Sequence, residues 1–110
     1  MTAVFIVRAV VPEVDRKAFD HWYETEHLPD AMKAFGTTAA RRGWSEVDPG
    51  IHIAIYEFPS LDHARRIAAD DGSAEIQALI AEFDRVWQGR VTRTREIVGI
   101  EQSIEQGRVE

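Results

Sequence analysis

Residues 37–58 read TTAARRGWSEVDPGIHIAIYEF. Two runs with strand character, Thr37 to Val47 and Ile51 to Phe58, flank Asp48-Pro49-Gly50. Proline followed by glycine is the chemistry of a type II turn, so the segment predicts a hairpin. Upstream, Ala3 to Val11 is an apolar, β-branched run ended by Pro12, which predicts a first strand. From Asp15 the period changes: Phe19, Trp22, Tyr23 and Glu26 share one helical face, with Asp15 as N-cap. Pro29 disfavours the helical region for Leu28, so this helix should end or kink at Glu26–His27. A second short helix then begins at Pro29 and closes on Gly36.

Downstream of the hairpin, Ser60 caps a predicted helix through Ala69, which Asp70-Asp71-Gly72 breaks. Ser73 caps a longer helix with Ile76, Leu79, Ile80, Phe83 and Trp87 as its apolar stripe, and Gly89 closes it. Val91 to about Ser103 reads as a last strand, and Glu105 to Glu110 as a frayed tail. The order is β-α-β-β-α-β, an α+β arrangement of the ferredoxin-like type, occupying residues 1–104 as one domain. Right-handed crossovers would put every helix on one face of a four-stranded antiparallel sheet. Such a sheet should alternate apolar and polar residues. The first strand does not: Val4, Ile6 and Val10 are apolar on one face, and Ala3, Phe5, Val7 and Ala9 on the other. The third repeats this, with Ile51, Ile53 and Ile55 opposite Ala54, Tyr56 and Phe58. Helices bury only one of these faces, so a homodimer packed sheet to sheet is expected to cover the second.

The chain has 110 residues, a formal charge of −6 and no cysteine. That length supports one core without disulfides. The missing cysteines remove thiol nucleophiles, cysteine-ligated zinc and iron–sulfur clusters. The N-terminal apolar run is interrupted by Arg8 and lacks a basic lead, so it does not read as a signal peptide. No stretch reaches the ~20 apolar residues of a spanning helix. Acidic charge disfavours nucleic acid and anionic membrane as partners, and a cytoplasmic protein is expected. The RNA-binding modules that share this element order need basic character and an aromatic signature on the third strand, which GIHIAIYEF lacks.

Chemistry concentrates in residues 19–30, FDHWYETEHLPD. His21 and His27 are six positions apart, about 240° around a helix at roughly 100° per residue, so they face apart and no metal site is expected. His27 stands where the helix should break, and its ring can project between helix and sheet as a proton acceptor or donor. Alternatively it caps the broken helix by bonding a free backbone group. Trp22, Tyr23, Trp44, Tyr56 and Trp87 come from four elements; they are either core or the walls of a cleft into which their polar atoms open. Glu26 lies in the middle of an apolar face, where a carboxylate is costly. It must pair with Arg8, Arg42 or Arg95, or be released to solvent by the kink. Arg41-Arg42 and Arg65-Arg66 read as solvated charges, and His21, His52 and His63 as surface or strand histidines. No phosphate-binding glycine loop or serine elbow is present, and no cofactor is expected.

FDHWYETEHLPDAMKAFG (19–36), AARRGW (39–44) and IHIAIYEFPSLDHA (51–64) resemble the dimeric α/β-barrel superfamily, and within it the EthD-like branch. The resemblance spans nearly the whole chain in element order. It implies a ferredoxin-like protomer, a homodimer with facing sheets, and a small-molecule cleft between each sheet and its helices. It maps the family's helix-end histidine onto His27 and its aromatic pair onto Trp22 and Tyr23. Relatives include monooxygenases, polyketide cyclases and muconolactone isomerases; the haem-degrading members use an asparagine, which this chain lacks entirely. A shared fold does not transfer a reaction. The expectation is a cleft for a small apolar or aromatic metabolite, with His27 and Tyr23 as catalytic residues and Trp22, Trp44, Tyr56 and Trp87 as substrate-binding walls. The alternative is a non-catalytic dimer that holds a metabolite in the same cleft.

Overall fold

A computed structural model describes residues 2–69 and 73–107. Its elements follow the predicted order: β1 (Ala3–Val10), α1 (Arg16–Trp22), α2 (Leu28–Phe35), β2 (Ala39–Trp44), β3 (Ile51–Phe58), α3 (Leu61–Ala68), α4 (Ala74–Trp87) and β4 (Thr92–Gly99). The strands form one sheet in the order β2-β3-β1-β4, antiparallel throughout. This is the ferredoxin-like α+β fold. Ser60 and Ser73 cap α3 and α4, their hydroxyls accepting from the His63 and Ile76 amides. Gly36 closes α2 in the left-handed conformation, where φ is 64° and a side chain would be strained. Among the described residues no helix is long and apolar enough to cross a membrane. The expected Asp70-Asp71-Gly72 break lies outside the described residues.

Three local expectations are corrected. The turn does close through the Ile51 amide and the Asp48 carbonyl, 3.0 Å apart. It is not type II, because Gly50 does not take the positive φ which that turn requires. Instead the Asp48 carboxylate accepts from the Gly50 amide at 3.1 Å, a side-chain turn that needs no left-handed residue. Asp15 makes no capping bond to α1. A single 3₁₀ turn, Glu13–Asp15, leads into the helix, and the Asp15 carboxylate accepts from Arg90 Nε at 3.2 Å.

The helix does not end before Pro29. Leu28 is helical, with φ −63° and ψ −46°, and α1 runs into α2 through a π-helical turn, Tyr23–His27. Pro29 has no amide proton for the Thr25 carbonyl, and its ring crowds that carbonyl in an α-helix. A wider turn accommodates both: the Leu28 amide bonds the Tyr23 carbonyl five residues back, and Thr25 Oγ1 donates to the His21 carbonyl at 2.8 Å. Tyr23 and His27, four residues apart, share the buried face, and the extra residue in the turn rotates Glu26 off it. Glu24, Thr25 and Glu26 are left exposed, so Glu26 is released to solvent rather than paired.

The two strand faces separate as their alternation implied. On the helix-covered face Phe5 is paired with Tyr56 and Ile97, Val7 with Ala54 and Arg95, and Ala9 with His52 and Arg93. The other face carries Val4, Ile6, Val10, Ile51, Ile53, Ile55 and Val98, crossed by Arg8–Glu96 and Arg41–Glu57 ion pairs. Val10 is 56% exposed in the single chain. The core is built around Phe19, which is fully buried. Its ring centroid lies 5.1–6.2 Å from those of Trp22, Tyr23, Trp44, His52, Phe83 and Trp87. Phe19→Ala is expected to cost about 3–5 kcal/mol in urea denaturation, because six rings cannot collapse together around the void. A loss under about 1 kcal/mol would contradict this packing.

Candidate functional site

Between the sheet and the helices lies a cavity of about 30 Å³, lined by strand residues of β1, β3 and β4 and by the faces of the π-turn, α2, α3 and α4. Tyr23, His27, His52 and Tyr56 form its polar part, Phe5, Phe35, Ile76, Leu79 and Phe83 are among its apolar walls, and Arg93 and Arg95 line it from β4. The volume admits a water molecule or two.

His27 is 6% exposed. Its ring stacks on Trp22, with centroids 4.7 Å apart at 23°, and meets Tyr23 edge-on at the same distance. It makes no capping bond to the helix, and its Nδ1 is buried without a hydrogen-bond partner. Burial holds the ring neutral, lowering its pKa to about 3; the positive charge of Arg93 acts in the same direction. Tyr23 and Tyr56 share a hydroxyl–hydroxyl bond of 2.9 Å. Burial raises the Tyr23 pKa to about 12 and that of Tyr56 well above the usual phenol value, so both stay protonated.

The sheet contributes a second histidine that sequence reasoning set aside. His52 is fully buried, 4.4 Å from Tyr23 between ring centroids, and also packs on Phe19 and Trp44. Arg42 Nη1 lies 3.3 Å from His52 Nε2. Arginine only donates, so Nε2 accepts and the ring proton resides on Nδ1, which is buried and unpartnered. Desolvation, then Arg42, lowers the His52 pKa to about 4. Arg42 is itself held by Asp20 at 2.8 Å, and Trp44 Nε1 donates to the same carboxylate oxygen at 2.8 Å. These two bonds, Arg42 first, hold the Asp20 pKa below its ordinary value.

Of the residues singled out from sequence, His27, Tyr23 and Tyr56 come together at the cavity. Trp22 backs His27 from outside it, Trp87 lies in the core with a buried, unpartnered Nε1, and Trp44 is occupied by Asp20. His52, Arg93 and Arg95 were missed. A signal for His52 existed, since it has the strand parity of Ala54 and Tyr56. Arg93 and Arg95 sit in a run, Thr92–Glu96, that shows no apolar alternation to mark its inner face.

The two buried histidines set a pH dependence. Each folded-state pKa lies below the ordinary value of 6.5, so below pH 6.5 the unfolded chain binds protons that the folded chain refuses. Their contribution is complete above pH 6.5 and is lost as pH falls toward 4 and 3. Urea denaturation should show stability falling between pH 6.5 and 4, by up to about 1.4 kcal/mol per pH unit for each histidine. Equal stability at pH 7 and pH 5 would contradict their burial as neutral rings.

Neither a protein-family model nor a curated protein matches the chain in sequence. Solved structures do match it in fold. An EthD family protein from Bacillus halodurans superposes with a TM-score of 0.65 at 18% identity, over 93% of this chain and 100% of its own. A point mutant of SnoaB, a cofactor-independent oxygenase from Streptomyces nogalater, gives 0.65 at 13% identity, over 96% and 98%. A NIPSNAP family protein from Agrobacterium tumefaciens gives 0.63 at 14%, over 89% and 91%. The chain shares its whole ferredoxin-like fold with these proteins, as the sequence resemblance implied; at such identities the likeness is one of fold.

Proposed function

We propose that this chain binds a small, largely apolar, aromatic metabolite between sheet and helices, and that His27 moves a proton there while Tyr23 holds a substrate oxygen. The observation that carries the reading is the buried His27 imidazole, its Nδ1 unbonded, beside the Tyr23–Tyr56 hydroxyl pair on a cavity with apolar walls. An unpaired buried polar atom costs stability, and such costs are retained where function uses the group. Isomerisation, cyclisation or cofactor-independent oxygenation of a carbonyl or phenol would use this set. The fold likeness to an oxygenase described as cofactor-independent accords with that range.

A ligand and turnover screen of quinones, lactones and polyphenols tests the reading. Tyr23→Phe should reduce turnover of the accepted compound by about tenfold or more, and His27→Phe should abolish it while keeping the ring packed. The low His27 pKa favours a second reading, a non-catalytic metabolite-binding dimer, because so weak a base takes a proton reluctantly. Binding that survives His27→Ala, with no turnover of any compound, would select the second.

We also propose that the functional unit is a homodimer packed through the outer sheet face. That face is apolar along β1 and β3 and bears no helix, and the ion pairs that cross it leave the isoleucines of β3 half-exposed. Analytical ultracentrifugation should give twice the chain mass of 12.5 kDa. Ile53→Asp should shift it to the monomer and destabilise it. A wild-type monomer at high micromolar concentration would contradict the dimer.

A further inference from the structure

The cavity is charged on one side only. Among its described lining residues there is no aspartate or glutamate, whereas Arg93 and Arg95 both line it, from alternate positions on the inner face of β4. Both histidines there are neutral, and both tyrosines keep their protons. The Arg93 guanidinium lies over the Phe83 ring, 3.7 Å from Cζ to centroid, a geometry that holds it against the apolar wall. Its ion-pair partner is Asp84, whose Oδ1 is 3.5 Å from Nη2 and whose side chain is 71% exposed. Desolvation destabilises the charged form of Arg93 more than Asp84 stabilises it. Arg95 has no ion-pair partner among the described residues. The buried Nδ1–H of His52, also in the lining, has no acceptor. Two cationic residues and a residue with a buried, unpartnered donor therefore line a space with apolar walls and no acid of its own among the described residues.

We propose that the ligand of this cavity is an anion, an aromatic carboxylate whose charged oxygens are held by Arg93, with Arg95 and the His52 Nδ1–H, and whose ring lies against the apolar walls. The inference rests on reading the cavity as the ligand site and names the ligand's chemical class. Guanidinium is the side chain best matched to a carboxylate, donating two parallel bonds where ammonium offers a point charge. The apolar walls suit a ring, and the present volume of about 30 Å³ requires those walls to move apart on entry. Of the two β4 cations, Arg95 is exposed. Bound negative charge beside His27 would also favour its protonated form, opposing the desolvation that now makes it a weak base.

The test is titration of the purified protein with benzoate, benzamide and benzyl alcohol, followed by calorimetry and by backbone amide NMR shifts. Benzoate should bind at least about tenfold more tightly than either neutral analogue, with the largest shifts at His52, Tyr56, Phe83 and Arg93. Arg93→Gln should weaken benzoate by roughly ten- to a hundredfold and leave benzamide unchanged, while Arg93→Lys, which keeps the charge but not the paired bonds, should fall between wild type and Arg93→Gln. Benzamide binding as tightly as benzoate, or an Arg93→Gln variant with unaltered benzoate affinity, would overturn the anion proposal but leave the cavity as a ligand site. Failure of all three probes to bind, with the amide spectrum unmoved, would overturn both. Arg93→Lys also controls for folding, since it keeps charge and stem where Arg93→Gln loses the cation over Phe83.

Discussion

The structure depends on one turn of helix that holds an extra residue. Proline within a helix lacks an amide proton and presses on the carbonyl four residues back, and the common outcomes are a break or a kink. Here the chain widens the preceding turn instead, with the Leu28 amide reaching five residues back to Tyr23. The helix continues and its buried face is re-phased. Tyr23 and His27 stay on the sheet side, and the two glutamates between them go to water. In a regular α-helix Glu26 would share the face of Phe19, Trp22 and Tyr23, and the cost of burying a carboxylate there would oppose packing against β3.

That re-phasing explains why the site is polar but not acidic. The groups gathered under the helix are two protonated tyrosines, two neutral histidines and a guanidinium over a phenyl ring. The carboxylates near them are kept at the periphery: Asp20 binds Arg42 and Trp44, Glu24 lies 3.6 Å from Arg42, and Asp84 reaches Arg93 from solvent. Unpaired Nδ1 atoms on both histidines are a stability cost that a folding argument alone does not explain.

Much of the architecture was legible because it rests on short-range rules. Ser60 and Ser73 announced their helices by capping chemistry, Gly36 by its freedom at positive φ, and β1 and β3 by apolar residues on both faces. The π-turn was not legible. Pro29 is a strong local signal for an ending, and the outcome was set by tertiary packing of Tyr23 and His27 on Phe83 and His52, residues distant in sequence. The site was half legible for the same reason. His27 and Tyr23 stood out in a dense segment, and His52 was readable from strand parity. Arg93 and Arg95 face inward only because β4 pairs with β1 in a register that places them beside Ala9 and Val7. Position in the strand order, not residue pattern, brings those cations to the cavity.

The claim that everything else follows from is that the π-turn holds His27 in the buried interior as a neutral ring. The direct measurement is the protonation state of His27 read from ring nitrogen and carbon NMR shifts between pH 7 and 4, assigned with a His27→Phe variant. The account predicts a single neutral tautomer for His27 that does not titrate above pH 4 while the protein remains folded. A His27 ring that titrates near the ordinary value of 6.5 in the folded protein would place it in solvent and contradict the account.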